Sequence, residues 1–155
     1  MNSSQTPSIQ DLKKTLVAAG LEIFRTRPDA VHLAERPRPN QILDAGISVR
    51  PAGAGHADGA FELRVVLRCQ RSDFPRETPD QLWNRVRELA QPDVTAVGYD
   101  EIEQRELPVF DPGDKTKTLD TWYELVYSRV LPDVEHAIDE AKRVLPVEKF
   151  VKGGQ

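Results

Sequence analysis

The fold is decided by residues 61–81, FELRVVLRCQRSDFPRETPDQ, in which an alternating segment leads into a strongly marked helix start. Apolar residues occupy every second position from Phe61 to Cys69, and most positions between them are polar. A period of two predicts a strand that packs one face on a core and turns the other toward water. The first half of this stretch is therefore predicted to be a half-buried strand.

The second half of the stretch carries the start signals of a helix. Thr78 and Gln81 have the spacing of a capping box, in which each side chain satisfies a backbone N–H of the other. Pro79 falls at the first helical position, where its missing N–H costs nothing. Apolar residues at helical spacing follow, and Pro92 predicts the end of the helix.

The flanking segments extend this order toward both termini. A first helix is predicted from Ser8, with Gly20 as its stop or, alternatively, with an extension through Phe24. Residues 21–36 stay open between strand and helix extension, with a short strand favoured at 31–35. The two prolines of residues 36–40 predict a break in regular structure. Further strands are predicted at 43–50, at about 94–109 and at 121–130, and a last helix from Pro132 to Pro146.

This order, α-β-β-β-α-β-β-α, predicts an α+β fold. We expect a single domain over residues 8–151, with flexible ends at 1–7 and 152–155. Its three helices are predicted to pack on one face of a mostly antiparallel sheet of about five strands.

Composition limits the classes of function. The 155 residues carry a net charge of −4, divided as +2 over residues 1–77 and −6 over 78–155. An acidic chain argues against general nucleic-acid binding. The uneven charge is typical of a solvated surface, and the alternative is an acidic half that faces a basic protein partner. The chain has one cysteine, no apolar run of membrane-spanning length and no signal-peptide pattern at its start. These features predict a cytoplasmic protein without a membrane partner.

No motif for catalysis, metal binding or cofactor binding is visible, so none of these sites is predicted. The three histidines lack the spacing of a metal site. The most plausible anion-binding patch comprises Arg50, Arg64 and Arg68 on the polar faces of neighbouring strands. Carboxylates on the same faces are expected to neutralise much of it.

Three aromatic residues of the predicted strand 121–130 are candidates for a protein interface. Trp122 and Tyr123 are neighbours, so they must lie on opposite faces of the strand, and Tyr127 shares a face with Tyr123. One face belongs to the core, and aromatic residues left on the other would be typical of an interface. The alternative is that a helix covers each face.

The element order over residues 8–145 resembles type III secretion chaperones and, equally, phage tail-terminator proteins. A long strand at Phe61–Gln70 feeds a helix and then a hairpin over residues 94–130, as in both families. The resemblance rests on element order alone and carries no site residues. It implies a non-catalytic protein that binds another protein, often as an oligomer.

The sequence thus favours a non-catalytic protein-binding or assembly module: an adaptor, a chaperone-like protein or a particle component. Its partner would be another protein or a second copy of itself. One alternative is a small-molecule-binding protein or enzyme whose site is assembled from scattered residues. Another is an immunity or antitoxin-like protein whose acidic C-terminal half neutralises a basic toxin.

Overall fold

The computed structural model describes residues 8–153 and has an α+β fold. Six strands form one antiparallel sheet in the order β1-β2-β3-β4-β6-β5. The elements are α1 Ile9–Ala18, β1 Ile23–Thr26, β2 Val31–Arg38, β3 Gln41–Pro51, β4 Phe61–Gln70, α2 Pro79–Ala90, β5 Asp100–Asp111, β6 Asp114–Leu131 and α3 Val134–Val144. The predicted class and the three helices are confirmed, whereas the predicted end 1–7 and residues 154–155 lie outside the described residues.

The strand count was predicted as five and is six, because residues 21–36 contain two strands. The added strand is β1, and the alternative of a helix extended through Phe24 is wrong. Gly20 adopts a φ of 93°, the left-handed geometry that ends a helix. Its N–H bonds the Val17 carbonyl and the Leu21 N–H bonds the Leu16 carbonyl, which is a Schellman motif. The chain therefore leaves the helix there and enters β1.

Two other local predictions are corrected. Strand β2 continues through Pro37 to Arg38, although a break was expected there. Its register with β3 shifts between Glu35 and Arg38, so the proline lies where the ladder is already irregular. Residues 94–99 are not part of the following strand. Val94 and Tyr99 are buried around a short 3₁₀ turn at Thr95–Val97, and β5 begins only at Asp100.

The described residues fall into two compact units. The first contains residues 8–65 and Ser128–Val147. Strand β3 pairs with β2, where Val49 lies opposite Val31, and with β4, where Ile47 lies opposite Val65. The fully buried side chains at its centre are Leu12, Leu16, Val31, Leu33, Ile47, Val49, Leu63 and Val65.

The second unit contains Val66–Tyr127 and residues 148–153. Helix α2 contacts the end of β4, where the Cys69 thiol donates to the Leu82 carbonyl at 3.5 Å. The capping box predicted at Thr78 and Gln81 is present, with both reciprocal bonds formed. The core of this unit consists of Leu67, Cys69, Leu82, Val86, Ala90, Val94, Tyr123, Leu125, Val126 and Tyr127.

Replacing Thr78 by alanine is expected to lower the free energy of unfolding by about 1 kcal/mol, because the Gln81 N–H loses its capping oxygen. Urea unfolding followed by circular dichroism measures the change. Gln10→Ala, at an exposed position inside α1, is the matched control and should be close to neutral. Equal stability of Thr78→Ala and the wild type would contradict the assigned role of the cap.

Candidate protein interface

The β5–β6 hairpin turns at Pro112 and Gly113, and side chains fix the turn. The Asp111 carboxylate accepts the Gly113 N–H at 2.8 Å. The Asp114 carboxylate accepts the Thr116 N–H at 3.0 Å and the Thr116 hydroxyl at 2.6 Å. These bonds to Thr116 hold the pKa of Asp114 below its usual value. The sequence at the tip thus specifies a tight, self-contained turn.

Beyond its base, the hairpin carries almost no buried residue. We call residues 101–111 and 114–119 the hairpin arm. All of them are exposed except Arg105, Val109 and Asp111, which are half-buried. Strand β5 is also the last strand of the sheet, and within residues 8–153 no other strand pairs with its outer edge. The arm is therefore a two-stranded segment without a core of its own.

Large apolar side chains lie exposed along this arm. Ile102, Leu107, Phe110 and Leu119 keep 45%, 42%, 47% and 53% of their surface accessible. Within β5, Ile102 and Phe110 share one face, because they are an even number of residues apart, while Leu107 lies on the other. Both faces of the arm therefore offer apolar surface to a partner.

The base of the arm is anchored by polar contacts. Asp120 accepts the Ser72 N–H at 3.0 Å and the Ser72 hydroxyl at 2.7 Å, and it also accepts the Thr121 N–H at 2.8 Å. Burial acts to raise the pKa of Asp120, but these hydrogen bonds outweigh it and lower the pKa. These hydrogen bonds hold the base of the arm in a defined position.

Trp122, the first candidate interface residue, lies at this base and is half-buried. Its ring meets the Phe150 ring edge-on, with centroids 5.3 Å apart, and the Arg68 guanidinium lies 5.1 Å from its centroid. Residues 149–151 are held there by backbone bonds: the Arg68 N–H donates to the Lys149 carbonyl, and the Val151 N–H donates to the Arg68 carbonyl. The C-terminal segment thus covers much of the indole.

Tyr123 and Tyr127, the other two candidates, lie inside the unit. Each keeps only 2% of its surface accessible. The Tyr123 ring packs edge-on against Trp83 at 5.3 Å, and the Arg71 guanidinium donates to its hydroxyl at 3.3 Å. Burial raises the pKa of Tyr127 to about 12. Neither tyrosine offers surface to a partner, so the exposed apolar residues of the arm replace them as candidates.

The three arginines of the predicted anion patch each lie close to a different carboxylate. In the first unit, Arg50 bonds the Ser48 hydroxyl at 2.8 Å and approaches Asp29 at 3.4 Å. Arg64 bonds Glu62 at 2.7 Å, and Glu62 also accepts the Ser128 hydroxyl. Burial acts to raise the pKa of Glu62, but these bonds outweigh it and lower the pKa.

In the second unit, Arg68 pairs with Glu124 at 2.9 Å. Glu124 is buried, with 5% of its surface accessible, and Arg105 lies 3.8 Å from its second oxygen. All three arginines of the predicted patch therefore have a carboxylate neighbour. Glu62 is one of the carboxylates expected on the polar faces, whereas the neighbours of Arg50 and Arg68 are Asp29 and Glu124 from other segments.

Other chemistry-bearing groups of the described residues give no further site. Residues 8–153 contain no cluster of three metal-ligating side chains. Burial raises the pKa of the Cys69 thiol to about 11, which leaves it protonated and unreactive at neutral pH. Across the same residues, no helix combines the length and the apolar character that crossing a membrane requires.

Comparison of the chain with protein-family models, with curated proteins and with solved structures finds no match in any of the three. The resemblance to type III secretion chaperones and tail-terminator proteins stays a prediction.

One feature of the sequence, the parity of the apolar positions in β5, indicates that the arm is exposed. A strand on a core keeps its apolar residues on one parity, as β4 does from Phe61 to Cys69. In β5, the apolar residues fall at 102, 107, 109 and 110, which mixes both parities. Such a strand cannot bury its apolar residues on one face.

Replacing Phe150 by alanine in a Trp83→Phe background is expected to shift the emission of Trp122 to longer wavelength, because water reaches the indole. The free energy of unfolding should fall by roughly 1–2 kcal/mol, since a half-buried aromatic pair is lost. Fluorescence spectra and urea unfolding measure both effects. Phe110→Ala, on the exposed arm, should leave the spectrum unchanged. An unshifted spectrum for Phe150→Ala would contradict the packing described.

Replacing Asp120 by asparagine is expected to destabilise the protein at neutral pH, because a neutral amide accepts the Ser72 and Thr121 bonds less strongly. The folded-state pKa of Asp120 is depressed below 3.8, so its contribution is full above that value and is lost as pH falls through the folded pKa. The stability difference between variant and wild type should shrink in strong acid. A difference that stays constant from neutral to strongly acidic pH would show that the charge has no role.

Proposed function

We propose that this protein is a non-catalytic protein-binding or assembly module, acting in the cytoplasm as an adaptor, a chaperone-like protein or a particle component, with the hairpin arm as its contact surface. The single observation that carries the proposal is the exposure of Ile102, Leu107, Phe110 and Leu119 on a segment that has no core of its own.

The energetics favour a partner on this surface. Full burial of a Leu, Ile or Phe side chain contributes about 1.5–3 kcal/mol, so covering the exposed half of each should contribute about 1 kcal/mol. Four such side chains supply several kcal/mol before any backbone hydrogen bond is counted. A partner strand along the free edge of β5 would add those bonds.

The charged residues of β5 limit which strands can pair with the hairpin arm. Glu101 is paired with Arg87 at 2.8 Å, and Glu103 with Arg105 at 2.8 Å. Charged side chains on an edge strand discourage indiscriminate strand pairing. A strand that combines such charges with exposed Ile, Leu and Phe rejects most neighbours and accepts a complementary one.

The test compares the wild type with the arm variant I102S/L107S/F110S. Tagged full-length proteins are incubated with an extract of the source cells, and bound proteins are quantified, while sedimentation velocity records self-association. We expect the arm variant to bind its partner, or to self-associate, at least about tenfold more weakly than the wild type. A tenfold change in affinity corresponds to about 1.4 kcal/mol. Thermal unfolding should show that its fold is retained, because the three side chains are exposed.

The matched control is V17S/V130S, which removes exposed apolar side chains from α1 and from the end of β6. It should bind as the wild type does. The proposal is wrong if the arm variant keeps every interaction of the wild type, or if the wild type binds no protein and stays monomeric.

A further inference from the structure

The net charge of the chain resides on a single strand. β5 contains five carboxylates, at positions 100, 101, 103, 106 and 111, and one cation, Arg105, so its charge is −4. The whole chain has 25 carboxylates and 21 cations, which is also −4. The other residues therefore hold 20 of each and are neutral in sum. The excess negative charge lies along one free edge of the sheet.

This charge limits what can pair with the edge. Two β5 strands brought side by side would bring mostly carboxylates together, even though Glu101 is paired with Arg87, and like charges opposed across an interface weaken association. A symmetric dimer through β5 is thereby disfavoured. The edge fits a strand that carries cations and no carboxylates.

The chain presents such a strand at the other end of the same sheet. β1 is the first strand of the sheet order, and in the part of the chain that the structure describes β2 is the strand that pairs with it. The segment Ile-Phe-Arg-Thr-Arg at residues 23–27 contains two cations and no carboxylate. Arg25 and Arg27 are both exposed, and within residues 8–153 no ion pair joins either of them to a carboxylate. Ile23 and Phe24 are half-buried and supply apolar surface beside these charges.

We infer that the occupant of the β5 edge is the β1 edge of a second copy of this chain. The sheet then continues from β5 of one copy into β1 of the next, with backbone hydrogen bonds between them and arginines against glutamates. This inference rests on the proposed function and names the partner of the arm. The contact joins two different surfaces, so repeated copies close into a ring or extend as a filament.

The test uses two charge-reversal variants of the full chain. The variant R25E/R27E has two acidic edges. The variant D100R/E103R/E106R, whose β5 then holds four cations and two carboxylates, has two basic edges. Sedimentation velocity at low salt, from low to high micromolar protein, measures self-association. We expect the wild type to associate, and each variant alone to associate about tenfold or more weakly. An equimolar mixture of the two variants should regain the wild-type association, because each acidic edge then meets a basic one.

The matched control is E135R/D139R, which reverses two exposed carboxylates of α3. It should associate as the wild type does, and association of the wild type should weaken at high salt. A wild type that stays monomeric at every concentration overturns the inference, as does undiminished association of both variants or a mixture that stays monomeric.

The arm variant I102S/L107S/F110S distinguishes a failure of the inferred β5–β1 contact between copies from a failure of the proposed protein-binding function. If the wild type is monomeric but binds a foreign protein that the arm variant loses, the occupant is a foreign segment and only the present inference is wrong. If the wild type neither self-associates nor binds a foreign protein through the arm, both are wrong.

Discussion

The one-sided burial of β4 is the constraint on which the rest of the structure depends. Every second side chain from Phe61 to Cys69 keeps 4% or less of its surface accessible, so the strand gives one whole face to the core. Its other face must then hold the charged residues that alternate with them. These are only half-exposed, and a half-buried charge needs a partner. Glu62 with Arg64, and Arg68 with Glu124, meet that need.

The same constraint explains why charge on the sheet does not make an anion site. Each arginine that alternation places on the polar face of β4 lies close to a carboxylate: Arg64 pairs with Glu62 of the same strand, and Arg68 pairs with Glu124 of β6. Hydrogen bonds from Arg64 and Ser128 stabilise the charged form of Glu62 and lower its pKa. An external anion would have to displace a carboxylate that is already held in place. The charges of the polar face are held by ion pairs within the fold, and exposed apolar surface is found on the hairpin arm.

The features that could be predicted from the sequence are those that depend only on residues close together in the chain. Strand Phe61–Gln70 and the start of α2 at Pro79 were predicted to the residue, because strict alternation and a capping box each leave one choice. β1 was missed, because four residues show no period. The placement of Trp122 depends on Phe150, which is remote in sequence, so no local pattern indicates it. The exposure of the arm has one local signal, the mixed parity of the apolar residues in β5.

An edge strand has to satisfy two opposed requirements if it serves in assembly. It must repel copies of itself, since identical flat edges pair without limit, and it must still accept one different edge. The excess of carboxylates on β5 meets the first requirement, because two such edges placed side by side bring mostly like charges together. Exposed apolar side chains meet the second only when the approaching edge cancels that charge. A sheet whose two end strands differ in charge therefore favours head-to-tail growth over symmetric pairing.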